Sequence, residues 1–188
     1  MKRIIGVDID AVLTDEGRGE DNIWYRNICT YFNLEGRVSN VYDFRDAYGL
    51  TNEEVEDFIE EKGLEIFKTV PPRPKCKEVL VRLEAKGYQI ILVTARPEEN
   101  NQVTLEWLNK HEIPFDKLYH SDDKITICKK EEIELFIDDN PEHLIPMIEA
   151  LNIPVFLMNM DHNQEHELSF NRVNNWDDIE ERILEYFE

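Results

Sequence analysis

The chain has 188 residues, 41% of them apolar, enough to core one globular domain with a modest insertion. Its 41 acidic and 21 basic residues leave a formal charge of −20, which repels polymeric nucleic acid and demands that any phosphate site be locally cationic. No apolar run of about 18 residues suits a membrane span. The short apolar stretch at the start runs at once into acidic residues, unlike a signal peptide, and Cys29, Cys76 and Cys128 are too scattered for a disulfide framework or a zinc site. A cytoplasmic protein with free thiols is therefore expected.

Along the chain, Arg3 to Val7 is an unbroken apolar run and predicts a strand. The following segment, 15–73, offers no buried strand. It reads as helical, with one helix from Asn22 to Phe32 and another after Thr51, where Thr51 and Glu54 fit a capping box. It is rich in aromatic residues, most of which should be core. A helix from Pro74 to Lys86 carries Val79, Leu80 and Leu83, and Gly87 suits its end. Then come a strand from Tyr88 to Thr94, a helix from Glu98 to Lys110 with Val103, Leu105, Trp107 and Leu108, and a weaker strand from Lys117 to His120. A strand from Glu134 to Ile137 leads through Asn140, a plausible N-cap, into a helix from Pro141 to Leu151. A strand from Pro154 to Met158 and a helix from Trp176 to Phe187 close the pattern. Unbroken apolar strands alternating with helices predict an α/β domain whose parallel sheet is covered on both faces.

In such sheets ligands bind beyond the carboxyl ends of the strands. Asp8-Ile9-Asp10 follows the first strand, Thr94-Ala95-Arg96 ends the second, and Asp138-Asp139-Asn140 follows the fourth. On extended backbone Asp8 and Asp10 face one side. With Asp138 and Asp139 they make a convergence of carboxylates that is costly without a cation. Oxygen ligands alone select a hard ion, and Mg²⁺ with waters and a substrate phosphate is the choice they favour.

These residues resemble the motifs of the haloacid dehalogenase-type phosphohydrolase superfamily. Its Asp-x-Asp is matched by Asp8 and Asp10, its strand-end Thr by Thr94, and its acidic pair by Asp138 and Asp139, in the same order. Ala11 departs from the Gly often found there. The family's lysine could be Lys124, Lys129 or Lys130; Lys124, directly after the weak strand, is favoured. The resemblance implies a three-layer Rossmann-like core, 1–14 and 74–188, with 15–73 a small helical cap inserted after the first strand. The surroundings of the motifs look most like the 5′(3′)-deoxyribonucleotidase group and its bacterial relatives. Carried onto this chain, the resemblance makes Asp8 the nucleophile and Asp10 the general acid and base. Asp8, Asp10 through its carbonyl, Asp138 and Asp139 would hold Mg²⁺, while Thr94, Ala95 and Lys124 would bind the phosphate. The implied function is a phosphomonoesterase acting on a small phosphorylated substrate, with a nucleotide favoured over a sugar phosphate. A receiver-like domain or a silent binding protein is a more distant reading. No membrane partner is expected, and a homodimer is compatible with a helical cap.

Trp24, Tyr25 and Phe44 are the cap aromatics to test for stacking on substrate, and Arg45 and Arg96 the cations to test for contact with it. Arg18 could reach a second anionic group. His162-Asn-Gln-Glu165-His166 matches an inverted zinc-protease pattern, but its polar setting without apolar periodicity reads as a solvated loop. His143 reads as a residue on a helix surface.

Overall fold

The structure, a computed structural model, describes residues 3–164 and 171–187. Six strands form one parallel sheet: β1 (Ile4–Val7), β2 (Gln89–Thr94), β3 (Lys117–His120), β4 (Leu135–Asp138), β5 (Val155–Met158) and β6 (Asn171–Val173), in the order β3-β2-β1-β4-β5-β6. The first five match the strands read from sequence to within a residue at each end. The edge strand β6 was not anticipated.

Successive side chains of a strand point to opposite faces, and the core divides accordingly. Ile5, Val7, Ile90, Leu92, Leu135, Ile137, Phe156 and Met158 pack to one side. There they meet Val79, Leu80 and Leu83 of α5 (Cys76–Ala85), Trp107 and Leu108 of α6 (Asn101–Lys110), and Trp176, Ile179 and Ile183 of α9 (Trp176–Phe187). Ile91, Val93, Phe136, Val155 and Leu157 pack to the other side, against Cys128 of α7 (Lys124–Glu131) and Leu144 and Met147 of α8 (Pro141–Leu151). This three-layer arrangement is why the strands read as continuous apolar runs. Cys76 and Cys128 are buried free thiols, and Cys29 is a half-buried one.

Between β1 and β2 the chain forms the expected helical insertion. It contains α1 (Ile23–Phe32), capped by Asn22 accepting from the Tyr25 amide at 3.0 Å, and α2 (Phe44–Tyr48). The capping box of Thr51 and Glu54 opens α3 (Asn52–Phe58), which continues through a π-helical turn into α4 (Leu64–Thr69). The insertion has its own apolar cluster of Trp24, Ile28, Ala47, Tyr48, Phe58, Ile66 and Phe67. It is entered and left by adjacent antiparallel connectors. Thr14 pairs with Pro72, the Asp15 amide donates to the Pro71 carbonyl at 2.7 Å, and the Arg73 amide donates to the Leu13 carbonyl at 2.7 Å. Two buried indoles fix these connectors to the core: Trp107 donates to the Val70 carbonyl at 2.7 Å and Trp176 to the Val12 carbonyl at 3.0 Å.

No helix among the described residues is long and apolar enough to cross a membrane. At the centre of the sheet, Gly6 lies under the Phe136 ring, where an added Cβ would come within 2.3 Å of Phe136 Cδ2. Gly6→Ala should therefore destabilise the fold by about 2 kcal/mol through overpacking, lowering the thermal midpoint by about 4–8 °C for a domain of this size. An unchanged midpoint would mean that the ring swings aside without cost.

Candidate active site

The tips of β1, β2 and β4 lie side by side, because Val7 is in register with both Leu92 and Ile137. Asp8 follows β1, with its amide donating to the Ile137 carbonyl at 2.9 Å. Asp138 ends β4. Lys124, the first residue of α7, extends its ammonium between them and donates to Asp8 Oδ1 and Asp138 Oδ2, each at 2.6 Å. The helix start is fixed by Asp123, whose side chain accepts from the Thr126 amide at 3.0 Å. Lys129 and Lys130 sit in the last turn of α7, exposed.

Asp8, Asp138 and Asp139 are all buried, and each offers a carboxylate oxygen within 4.8 Å of the others. One ammonium serves two of these acids, and the balance is uneven. Burial drives the Asp8 carboxyl well above the usual carboxylate range; Lys124 opposes the rise, while Asp138, Asp10 and Asp139 add to it. Burial pushes Asp138 the same way, but Lys124 and His143 outweigh it and hold that group below its ordinary value. Asp139 is raised by burial, with His162 working against the rise. An oxygen-only set of buried acids with surplus negative charge fits a hard divalent cation.

The two histidines revise the sequence reading. His143 approaches Asp138 Oδ2 through Nδ1 at 3.1 Å instead of standing free on its helix. His162 lies in a short 3-10 turn, Asp161–Asn163, with its side chain 15% exposed and Nε2 2.9 Å from Asp139 Oδ2. It is part of the site rather than a solvated loop. Glu165 and His166, the rest of the inverted zinc-protease pattern, lie outside the described residues. Tyr42 packs edge-on to both rings, with centroids 5.2 Å from His162 and 6.5 Å from His143.

Asp10 stands apart from the buried trio. Both of its oxygens are held by Arg96, from Nε at 2.8 Å and Nη2 at 2.6 Å. Arg96 is almost fully buried, reaches Thr104 Oγ1 at 3.2 Å, and lies 4.1 Å from the centroid of the Phe67 ring of α4. Arg96 is thus an ion-paired arginine on the wall of the site. Thr94 is fully buried at the tip of β2, and its Oγ1 accepts from the Arg96 amide at 3.2 Å. The turn after Asp10 carries Ala11 at φ 57°, in the left-handed region, which explains why Gly suits that position. The Ala11 amide donates to Thr14 Oγ1 at 2.8 Å and so holds the turn.

A cavity of about 450 Å³ opens between this cluster and the insertion. Asp10, Ala95, Arg96, Asp139 and His162 form its core side, and Trp24, Tyr42, Phe44, Arg45 and Phe67 are among the residues on the side of the insertion. Of the substrate residues expected from sequence, Trp24, Phe44, Arg45 and Arg96 line it. Tyr25 does not; it packs against Tyr48 and Arg37. Arg45 is engaged by Asp43 and by Asn52 Oδ1, the latter at 2.8 Å. Arg18 points elsewhere, donating to the Asn159 carbonyl at 2.8 Å.

Glu16 escaped the sequence reading altogether. It is 8% exposed, lines the cavity, and accepts at Oε1 from Trp24 Nε1 at 3.0 Å. Burial, helped by Asp10 and Asp139, pushes its carboxyl up to about 8.

The family described as 5′ nucleotidase, deoxy (Pyrimidine), cytosolic type C protein matches residues 2–186. The chain belongs to this family. It is thereby a phosphoric monoester hydrolase. A 5′(3′)-deoxyribonucleotidase of Bacillus subtilis is 28% identical over 191 residues, covering 98% of this chain and 100% of that protein. Among solved structures, a predicted phosphatase from Clostridium acetobutylicum superposes with a TM-score of 0.71 at 17% identity, covering 98% of this chain and 99% of the other. The haloacid dehalogenase-like family protein SP0104 from Streptococcus pneumoniae follows at 0.69 and 12% identity, covering 100% and 99%. These two likenesses establish the shared fold.

Two outcomes are expected in EDTA. Lys124→Met leaves Asp8 and Asp138 without their common ammonium and should cost about 3–5 kcal/mol in urea unfolding; a loss below about 1 kcal/mol would show that the acids simply take up protons. For Glu16, a folded-state value of about 8 against an ordinary 4.5 means the native state holds the proton more tightly. Its contribution to stability is complete below pH 4.5 and is lost as pH rises toward 8. Glu16→Gln should remove that decline, so parallel pH profiles for wild type and variant would contradict a protonated Glu16.

Proposed function

We propose that the protein is a Mg²⁺-dependent nucleotidase that removes phosphate from (deoxy)nucleoside monophosphates through an aspartyl-phosphate on Asp8, with residues 15–73 acting as the cap over the site. The observation that carries this reading is the buried trio Asp8, Asp138 and Asp139 at the strand tips, with Lys124 bridging the first two, beside a cavity walled by cap aromatics. The oxygen-only donor set supports Asp8, Asp138, Asp139 and the Asp10 carbonyl as holders of Mg²⁺, which when bound offsets negative charge on the phosphate.

In the first half-reaction an Asp8 oxygen attacks phosphorus, the bond to the leaving alcohol oxygen breaks, and Asp10 gives that oxygen a proton. In the second, Asp10 takes a proton from water, which attacks the same phosphorus and frees Asp8. Arg96 donates to both Asp10 oxygens and so fixes the carboxyl at the cavity wall. Lys124 balances charge between Asp8 and the phosphate, and the Thr94 hydroxyl and Ala95 amide are the neutral donors at the tip of β2. The aromatic cap wall and the name of the Bacillus subtilis relative support a nucleotide as substrate.

Phosphate release should be measured over deoxynucleoside, ribonucleoside and sugar monophosphates. Turnover should require Mg²⁺, stop in EDTA, and fall on the order of 10³-fold or more in Asp8→Asn, as for removal of a nucleophile. Unchanged turnover in that variant would end the covalent route. Faster hydrolysis of sugar phosphates than of any nucleotide would end the substrate assignment.

A further inference from the structure

Glu16 has no part in the chemistry just described, yet it is a nearly buried carboxyl on the wall of the substrate cavity. Its Oε1 is occupied by the Trp24 indole N–H at 3.0 Å, and no hydrogen bond is made by Oε2 among the described residues. Oε2 is not among the fully buried unpaired atoms of the described residues, and Glu16 lines the cavity, so this oxygen opens to it. An oxygen without a protein partner on a cavity wall is therefore a place for a ligand atom. The neighbouring cations have other partners: Arg96 is committed to Asp10, Arg45 to Asp43 and Asn52, Arg73 to the Ala11 carbonyl, and His162, whose charge works against the rise of the Glu16 carboxyl, to Asp139.

We propose that Glu16 is a specificity residue that reads the substrate's heterocycle, with Oε2 hydrogen-bonded to an acceptor atom, a ring carbonyl oxygen or a ring nitrogen, on a flat base seated against Trp24, Phe44 and Phe67. This deepens the nucleotidase reading and rests on it. The aromatic wall argues for a planar ring, because hydroxyl groups of a sugar or polyol placed there would lose water without gaining partners. The direction of the hydrogen bond follows from the proton. Burial pushes the Glu16 carboxyl up to about 8, and Oε1 already accepts from the indole, so a proton carried by this group sits on Oε2, which then donates. A base is thus selected for an acceptor at this point. A cationic amine would instead require Glu16 ionised.

The test compares wild type, Glu16→Leu and Glu16→Gln, each as the full chain with Mg²⁺, on a deoxynucleoside monophosphate with a ring carbonyl and on 2-deoxyribose 5-phosphate, which lacks the base. Glu16→Leu should lower the ratio of kcat/KM for nucleotide over sugar phosphate about tenfold to a hundredfold, the effect of losing one buried hydrogen bond. Glu16→Gln still accepts from Trp24 and donates to the base, so its ratio should stay within about threefold of wild type. The sugar phosphate rate also reports whether each variant is folded. An unchanged ratio in Glu16→Leu would overturn the proposal. So would a Glu16→Gln ratio as low as that of Glu16→Leu, which would mean that charge rather than a donated proton is read. If wild type itself gains nothing from the base, the nucleotidase reading fails first and takes this inference with it, an outcome visible before any variant is made.

Discussion

An ammonium held 2.6 Å from two buried carboxylates is the interaction around which this site is built. Two buried acids facing each other would otherwise give up their charge, since desolvation and mutual repulsion both favour protonation. Lys124 can bridge them because three separate decisions of the fold agree. The register of β1 with β4 sets Asp8 beside Asp138, β3 ends nearby, and the Asp123 cap starts α7 with Lys124 at its first position. For a chain with a formal charge of −20, this is also how an anionic substrate can be admitted: the local field is set by a few buried groups and not by the surface.

Around that centre the groups are layered. His143 and His162 approach the two acids of the fourth-strand pair from outside, and Tyr42 of the insertion packs edge-on to both rings. Arg96 does the equivalent for Asp10, and its guanidinium lies over Phe67. Each acid beyond Lys124 therefore has a partner that also touches the insertion. The position of the insertion and the orientation of the acids are linked through side chains already in contact.

The sheet and the strand-tip acids were legible because burial on both faces writes an unbroken apolar run, and because ligand sites in such sheets gather beyond the carboxyl ends. What escaped was held by tertiary contacts alone. The edge strand β6 has three residues, pairs on one side only, and buries just Val173, so neither length nor alternation marks it. His162 sits in a single 3-10 turn, too short for periodicity, positioned by Asn163 Nδ2 bonding the Asp139 and Met158 carbonyls. The strand-tip rule applied to β5 as well would have pointed to it. Trp24 and Tyr25 were equal candidates from sequence; neighbours on a helix diverge by about 100°, and only packing decides that Trp24 faces the cavity. Glu16 is buried because Trp24 folds back onto it, a contact no local pattern records.

The side-by-side connectors at Thr14 and Pro72 have a consequence for descent as well as for architecture. A segment that leaves and rejoins its host at one point, and that carries its own apolar cluster, can be lengthened, shortened or exchanged while the sheet keeps its register. The strand tips would keep their acids through such an exchange, and the replaced segment would bring a new wall to the cavity. Selection on what is bound can then act on one contiguous stretch of gene, largely decoupled from selection on how the phosphorus is attacked.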